Sequence, residues 1–117
     1  MTVGRGRIGR GSVCWATILA GFGHDQGTRP WLVISVAGPE RAIVLPISTE
    51  QPGYGYPLSW PVPPNWRLEQ PSWIRVDYVR SLPVDRLREP IAEATRDELG
   101  EVLDAVGELL GVAIAIH

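Results

Sequence analysis

Apolar residues in this chain come in short runs that are separated by turns rich in proline and glycine. Three such runs, at 11–19, 31–36 and 42–47, predict consecutive β-strands. The unbroken apolar character of the second run predicts that both faces of its strand are covered. Pro46 lies inside the third run and predicts a strand edge or a bulge there, because proline has no backbone N–H to donate.

The segment 73–79 mixes apolar and charged residues in alternation and predicts a further strand. Successive side chains of a strand point to opposite faces of its sheet. Arg75 and Asp77 are therefore predicted to share one face, while Ile74 and Val76 point into the core. On this pattern alone, a same-face surface ion pair worth under about 1 kcal/mol and a functional site are equally supported.

The C-terminal part of the chain predicts one long helix. Residues 95–98, Thr-Arg-Asp-Glu, form a capping box in which the threonine hydroxyl and the glutamate carboxylate satisfy backbone N–H groups. Apolar residues then recur at helical spacing to Leu110, and Gly111 is predicted to end the helix. Shorter elements are predicted at 58–62 (an edge strand), 83–87 (a helical turn) and 89–94 (a last strand). Together they predict a mostly β fold with a C-terminal α-helix, arranged as a small barrel or a strongly curved sheet.

With 117 residues, the chain is long enough for one domain with a hydrophobic core. Residues 1–9 are predicted to be a flexible basic arm, and residues 10–117 a single domain. No apolar segment approaches the roughly 20 residues that cross a bilayer, so no membrane association is predicted. The single cysteine, Cys14, excludes an internal disulfide, fits a reducing cytoplasm and is predicted to be a small buried residue rather than a nucleophile.

The formal net charge of −2 argues weakly against a nucleic-acid partner. Of the 11 basic and 13 acidic residues, one arginine and five acids follow residue 95, which leaves ten arginines and eight acids before it. Every basic side chain is arginine, which suits phosphate binding, although a compositional bias explains the lack of lysine equally well. Two distant histidines and one cysteine make no metal set, and no glycine-rich phosphate loop opens a helix, so no metal and no cofactor are predicted.

A polar loop precedes the second predicted strand and contains His24, Asp25, Gln26 and Arg29. Pro30 pushes Arg29 toward an extended conformation at the lip of the strand, where a loop is held by a rigid scaffold. On this segment alone, an ordinary polar connection with a surface arginine is the favoured interpretation.

Residues 51–71 form a proline-rich segment with four aromatic side chains. These aromatics either stack on nucleic-acid bases, at about 1–3 kcal/mol per base, or pack the segment onto the core. Packing is favoured for Trp60, and both interpretations stay open for Trp66.

Four segments, in this order and spacing, resemble the MazF/PemK/Kid toxins of bacterial toxin–antitoxin systems, and the PemK/Kid branch most. The segments are 11–15 (GSVCW), 23–34 (GHDQGTRPWLVI), 45–49 (LPIST) and 74–82 (IRVDYVRSL). The resemblance runs from about residue 10 to residue 110. It implies a dimeric SH3-like barrel that cleaves single-stranded RNA without a metal ion. In that family the RNA's own 2′-hydroxyl attacks, which leaves a cyclic phosphate and a 5′-hydroxyl, and the partner is a protein antitoxin.

By position, the resemblance implies that Asp77 is the general base and Arg75 the residue assigned as acid. His24 matches a supporting histidine, and Arg29 and Ser48 match an arginine and a threonine that matter for activity in the family. The further residues expected to contact RNA are Asp25, Gln26, Thr28, Thr49 and Trp66.

Proton-transfer chemistry supports a second assignment. Arginine holds its proton too tightly to be a good acid, so we interpret Arg75 and Arg29 as a guanidinium clamp on the phosphate. His24, an imidazole that titrates near neutral pH, would then donate the proton to the leaving 5′-oxygen. Either assignment requires His24, Arg29, Ser48, Arg75 and Asp77 to line one concave surface.

Two other classes of function stay open on the sequence. A gyrase poison of the same fold (CcdB-like) resembles this chain less, because that type uses tryptophan at its extreme C-terminus and this sequence ends in Ile-His. A non-catalytic barrel would instead bind peptide or nucleic acid through the aromatics of 51–71.

Overall fold

The computed structural model describes residues 8–18, 27–52 and 59–111. Several sequence predictions fall outside these ranges. They concern the basic arm as far as residue 7, the residues His24, Asp25 and Gln26, and the tyrosines of the proline-rich segment.

The described chain forms an antiparallel sheet of seven strands followed by one α-helix, which confirms the predicted mostly β fold with a C-terminal helix. The strands are β1 (Ser12–Ile18), β2 (Gly27–Ala37), β3 (Arg41–Ser48), β4 (Ser59–Pro61), β5 (Trp73–Arg75), β6 (Arg80–Pro83) and β7 (Pro90–Glu93). Three 3₁₀ turns, Pro64–Trp66, Val76–Tyr78 and Val84–Arg86, connect them, and helix α1 spans Arg96–Leu110. The order across the sheet is β4-β5-β3-β2-β1-β7, and β6 also pairs with β3.

Strand β3 is the central organiser of the sheet. One edge of it pairs with β2, while the other edge pairs with two different strands: 41–44 with β6 and 47–48 with β5. Pro46 lies in the interval between these two pairings and opposite Trp31 of β2. The prediction that Pro46 marks an edge was therefore wrong, because the proline marks a change of partners within an interior strand. The register shift lies elsewhere in the β2–β3 ladder, between Val33 and Ser35.

The segment 73–79 is not one strand, which corrects the sequence prediction. Between Ile74, which pairs with Ile47, and Arg80, which pairs with Val44, the chain advances six residues while β3 advances three. An extended chain rises about 3.3 Å per residue, so roughly three residues of excess length must be taken up. The 3₁₀ turn Val76–Tyr78, with a rise of about 2.0 Å per residue instead of about 3.3 Å, takes up part of that excess.

The sheet is covered on both faces, as the apolar run of β2 predicted. Leu32 and Ile34 pack in a cluster with residues of α1, and we call this side the helix face. Trp31 and Val33 point the other way, into a second cluster with residues of β1, β3 and β6, and we call this side the Trp31 face. The alternation of β2 between these two faces fixes which of its polar residues can share a site.

The predicted capping box is present at the start of α1. The backbone N–H of Glu98 donates to Thr95 Oγ1 at 3.1 Å, and the backbone N–H of Thr95 donates to Glu98 Oε1 at 2.9 Å. The indole N–H of Trp66 donates to the same carboxylate oxygen at 3.1 Å. Burial alone would raise the pKa of Glu98, but the hydrogen bonds from Thr95, Trp66 and Asn65 outweigh burial and lower that pKa. Gly111, with φ of 72°, ends the helix as predicted.

Two further sequence predictions concern the apolar residues. Cys14 is fully buried, as predicted, and burial, with the nearby carboxylate of Glu93, raises the pKa of its thiol to about 12. In the part of the chain that the structure describes, no helix has the length and apolar character needed to cross a membrane.

Because the thiol of Cys14 is buried and protonated, we expect it to resist a thiol reagent at pH 7.5 in the native protein and to react fully in urea. Labelling with an aromatic disulfide, followed by absorbance, measures both rates, and Cys14→Ser gives the background. Native labelling as fast as labelling in urea would contradict the burial of this side chain.

The capping network predicts two effects on stability. Thr95→Ala should lower the free energy of unfolding by about 0.5–2 kcal/mol. Since the folded-state pKa of Glu98 is lowered, its carboxylate stabilises the fold above the usual glutamate pKa of about 4.3. That contribution is lost as the pH falls through the lowered value.

Urea unfolding of Glu98→Gln at pH 7 and pH 3 tests this second effect. The variant should be less stable than the unmodified protein at pH 7, and the difference should shrink at pH 3. Glu101→Gln, at an exposed position of the same helix, is the matched control and should show neither effect. A Glu98→Gln difference that is the same at both pH values would contradict the ionised cap.

Candidate functional site

The strand registers bring several polar side chains to one end of the Trp31 face. Arg29 lies two residues before Trp31 on β2, and Trp31 pairs with Pro46 of β3. Residues that lie opposite each other across two strands, and residues two apart along one strand, share a face. Arg29, Trp31, Pro46 and Ser48 therefore belong to one face.

The same reasoning places residues of β5 and β4 on this face. Ser48 pairs with Trp73, and Arg75, two residues further on, pairs with Ser59. The structure thus places Arg29, Ser48 and Arg75 on the same face of the sheet.

Asp77 joins this group through the 3₁₀ turn rather than through strand alternation. Its carboxylate oxygen Oδ1 lies 3.6 Å from Nε of Arg75, and the two side chains are only 12% and 18% exposed, with Arg75 the more buried. Val76, between them in sequence, is fully buried and anchors the turn in the core of the helix face. The predicted Arg75–Asp77 pair is present, and it is mostly buried rather than a solvated surface pair.

The turn also brings an unpredicted side chain to the site. The guanidinium carbon of Arg75 lies 4.6 Å from the ring centroid of Tyr78. A continuous strand would have sent Tyr78 to the face opposite Asp77, so the alternation pattern concealed this contact. The aromatic residue directly after Asp77 was the available signal, and it becomes meaningful only once the turn is recognised.

Ser59 is a second residue that the sequence analysis missed. It lies opposite Arg75 across the β4–β5 ladder. Its hydroxyl oxygen is buried and has no hydrogen-bond partner within residues 8–18, 27–52 and 59–111. The short edge strand β4 was predicted, but its pairing register with β5 has no local signature in the sequence.

Two of the predicted RNA contacts lie toward the other side of the sheet. Thr28 is next to Arg29 on β2 and points to the helix face, and its hydroxyl is 2.7 Å from that of Thr17. Thr49 lines a groove of about 610 Å³ with Trp15, Pro30 and Ile47, and residues 67–70 form the opposite wall. Both threonines therefore lie toward the helix face, whereas Arg75 lies on the Trp31 face.

Trp66 does not fit its predicted role as an RNA contact. The side chain is 2% exposed and belongs to the core of the helix face, and its indole N–H donates to Glu98. A buried ring has no open face on which a base can stack, so the packing interpretation holds for Trp66. Trp60 packs against the same core, as predicted.

This face of the sheet therefore carries two guanidinium groups and one hydroxyl, and the carboxylate of Asp77 lies beside one of the guanidinium groups. Guanidinium groups bind phosphate oxygens in a fork, and a carboxylate accepts a proton from a nearby hydroxyl. The arrangement is therefore suited to holding a phosphodiester and removing a proton beside it. His24, Asp25 and Gln26 lie outside the described residues, just before β2.

Several solved structures share this architecture. MazF from Deinococcus radiodurans is 32% identical to this chain, with 90% of this chain and 97% of that one covered and a TM-score of 0.72. A MazE–MazF structure from the same organism is 28% identical, covers 91% of this chain and 98% of that one, and has a TM-score of 0.72. The Mycobacterium tuberculosis toxin MazF-mt6, 21% identical over 88% of this chain and 99% of that one, shares the fold with a TM-score of 0.71.

A family model described as PemK-like, MazF-like toxin of type II toxin–antitoxin system matches residues 9–110. The chain therefore belongs to this toxin family. A search of curated protein sequences gives no significant match.

Proposed function

We propose that this protein is the toxin of a type II toxin–antitoxin system and an endoribonuclease that cleaves single-stranded RNA at specific sequences. The observation that carries the proposal is the mostly buried Arg75–Asp77 pair, at 3.6 Å, on the sheet end that also holds Arg29 and Ser48. Membership of the PemK-like, MazF-like family supports the same conclusion.

The proposed reaction is an internal transfer of the phosphodiester. Asp77 accepts the proton of the RNA 2′-hydroxyl, the 2′-oxygen forms a bond to phosphorus, and the bond from phosphorus to the 5′-oxygen breaks. The products are a 2′,3′-cyclic phosphate and a 5′-hydroxyl. Arg29 and Arg75 stabilise the charge that develops on the phosphate oxygens, and the Ser48 hydroxyl helps to orient the phosphate.

The leaving 5′-oxygen needs a proton, and we assign its delivery to His24. Arginine is a poor proton donor, so Arg75 is better suited to the charge clamp. His24 lies five residues before Arg29 in the sequence, and Arg29 lies on the site face. We further propose that these side chains cleave RNA without a metal ion, because the two guanidinium groups supply the positive charge.

We also propose a homodimer and a cognate antitoxin as partners. The MazF of Deinococcus radiodurans was solved together with MazE, which makes an antitoxin the expected partner of a family member. An acidic antitoxin segment would compete with RNA for Arg29 and Arg75, since both ligands present negative charge to the same guanidinium groups.

The test is to incubate the purified protein with a long RNA in EDTA and to map the new 5′ ends. We expect discrete cuts with 5′-hydroxyl ends. Asp77→Asn, which keeps the shape of the side chain, should lower the single-turnover rate by about 10²–10⁴-fold. Asp85→Asn is the matched control, because Asp85 occupies the middle of another 3₁₀ turn, Val84–Arg86, and is exposed.

Three outcomes would contradict the proposal. Intact RNA would exclude the nuclease, and trapped gyrase–DNA complexes in parallel reactions would then identify a gyrase poison. Cleavage that persists in Asp77→Asn would place the site elsewhere. If His24→Ala leaves the single-turnover rate unchanged while Arg75→Ala abolishes cleavage, the assignment of His24 as the acid is wrong and Arg75 takes that role.

A further inference from the structure

We propose that Tyr78 is a positioning residue for Arg75: its ring holds the guanidinium at an orientation that serves the RNA phosphate and limits its pairing with Asp77. This inference rests on the proposed function, because it concerns how the same site handles its phosphate.

The geometry defines the contact on two sides of the guanidinium. The Tyr78 centroid lies 4.6 Å from the Arg75 guanidinium carbon, well inside the roughly 6 Å limit for cation–π attraction. The distance from Arg75 Nε to Asp77 Oδ1 is 3.6 Å, whereas charge-assisted N–H···O bonds are about 2.7–2.9 Å long. The guanidinium therefore lies on the ring and stands off from the carboxylate through its Nε edge.

This arrangement resolves a chemical conflict within the site. If the Arg75 guanidinium and the Asp77 carboxylate formed two parallel hydrogen bonds, each group would occupy the atoms that the other needs for catalysis. Stacking on a ring fixes the plane of a guanidinium and directs its N–H donors outward along that plane. The Tyr78 ring thus favours a geometry in which Arg75 can donate to a phosphate that lies beside the carboxylate of Asp77.

The fold holds the ring where this function needs it. Tyr78 is the last residue of the 3₁₀ turn whose first residue, Val76, is fully buried. The turn packs against α1, β3 and β4. Because the turn contacts three elements and Val76 is buried, the backbone that carries the Tyr78 ring is held beside Arg75.

The experiment compares two variants of Tyr78 that differ in whether an aromatic ring is kept. Tyr78→Phe keeps the ring face, whereas Tyr78→Leu keeps apolar bulk and removes the ring. Three quantities are measured: the single-turnover cleavage rate, the Kd for an RNA with a 2′-deoxy nucleotide at the cleavage site, and the thermal midpoint. We expect Tyr78→Phe to match the unmodified protein. We expect Tyr78→Leu to cleave about 5- to 30-fold more slowly, with Kd changed by less than about threefold.

A readout that does not depend on cleavage is the NMR resonance of the Arg75 Nε–Hε group, assigned through Arg75→Lys. A proton near an aromatic face is shifted by the ring current, so the shift should persist in Tyr78→Phe and disappear in Tyr78→Leu. This signal reports the position of the guanidinium directly.

Several results would overturn the inference. One is a cleavage rate of Tyr78→Leu within twofold of that of the unmodified protein, and another is an equal loss of cleavage rate in both variants. A third is a Tyr78→Leu variant in which the cleavage rate, the RNA affinity and the thermal midpoint all decrease, as a merely structural role would produce. If the unmodified protein does not cleave RNA at all, the proposed function fails, and the NMR signal alone then decides whether the ring positions Arg75.

Discussion

The constraint on which the site depends is that one edge of β3 pairs with two strands in succession. The chain between these pairings, from β5 to β6, is longer than the stretch of β3 that it passes, and the turn Val76–Tyr78 takes up part of the surplus. That turn brings Asp77 and Tyr78 to the side of Arg75. The site is therefore a consequence of how a curved sheet matches strand lengths.

Burial on both sides of the sheet makes this arrangement rigid. Val76 is packed into the core of the helix face and anchors the turn there, while Arg75 and Asp77 on either side of it belong to the site. The carboxylate of Glu98 caps α1 and also accepts the indole N–H of Trp66, which ties the segment after β4 to the helix. A phosphate clamp benefits from such support, because catalysis depends on charges that are already in place when the substrate binds.

The fold could be predicted from local patterns, whereas much of the site could not. The capping box, the helix end at Gly111 and the strand runs are each specified within a few residues of sequence. The shared face of Arg29, Ser48 and Arg75 depends on the registers between strands that are far apart in the chain. It was predicted through a family resemblance rather than from the alternation of residues.

Two errors show where local sequence patterns mislead. The Arg75–Asp77 pair was predicted from a continuous strand, and it exists because the strand stops. Trp66 looked available to RNA because it lies in a proline-rich segment, but the indole satisfies a helix cap instead. In both cases a tertiary partner decides the conformation, and nothing within the local sequence names that partner.

The turn between β5 and β6 has a consequence for the length of this part of the chain. The registers of β5 and β6 against β3 are set by residues on either side of the turn, so strand pairing does not fix the number of residues in it. A length change inside β5 or β6 would instead invert every side chain beyond it from one face to the other. The carboxylate that the proposed mechanism uses thus lies in a segment whose length is not set by strand pairing.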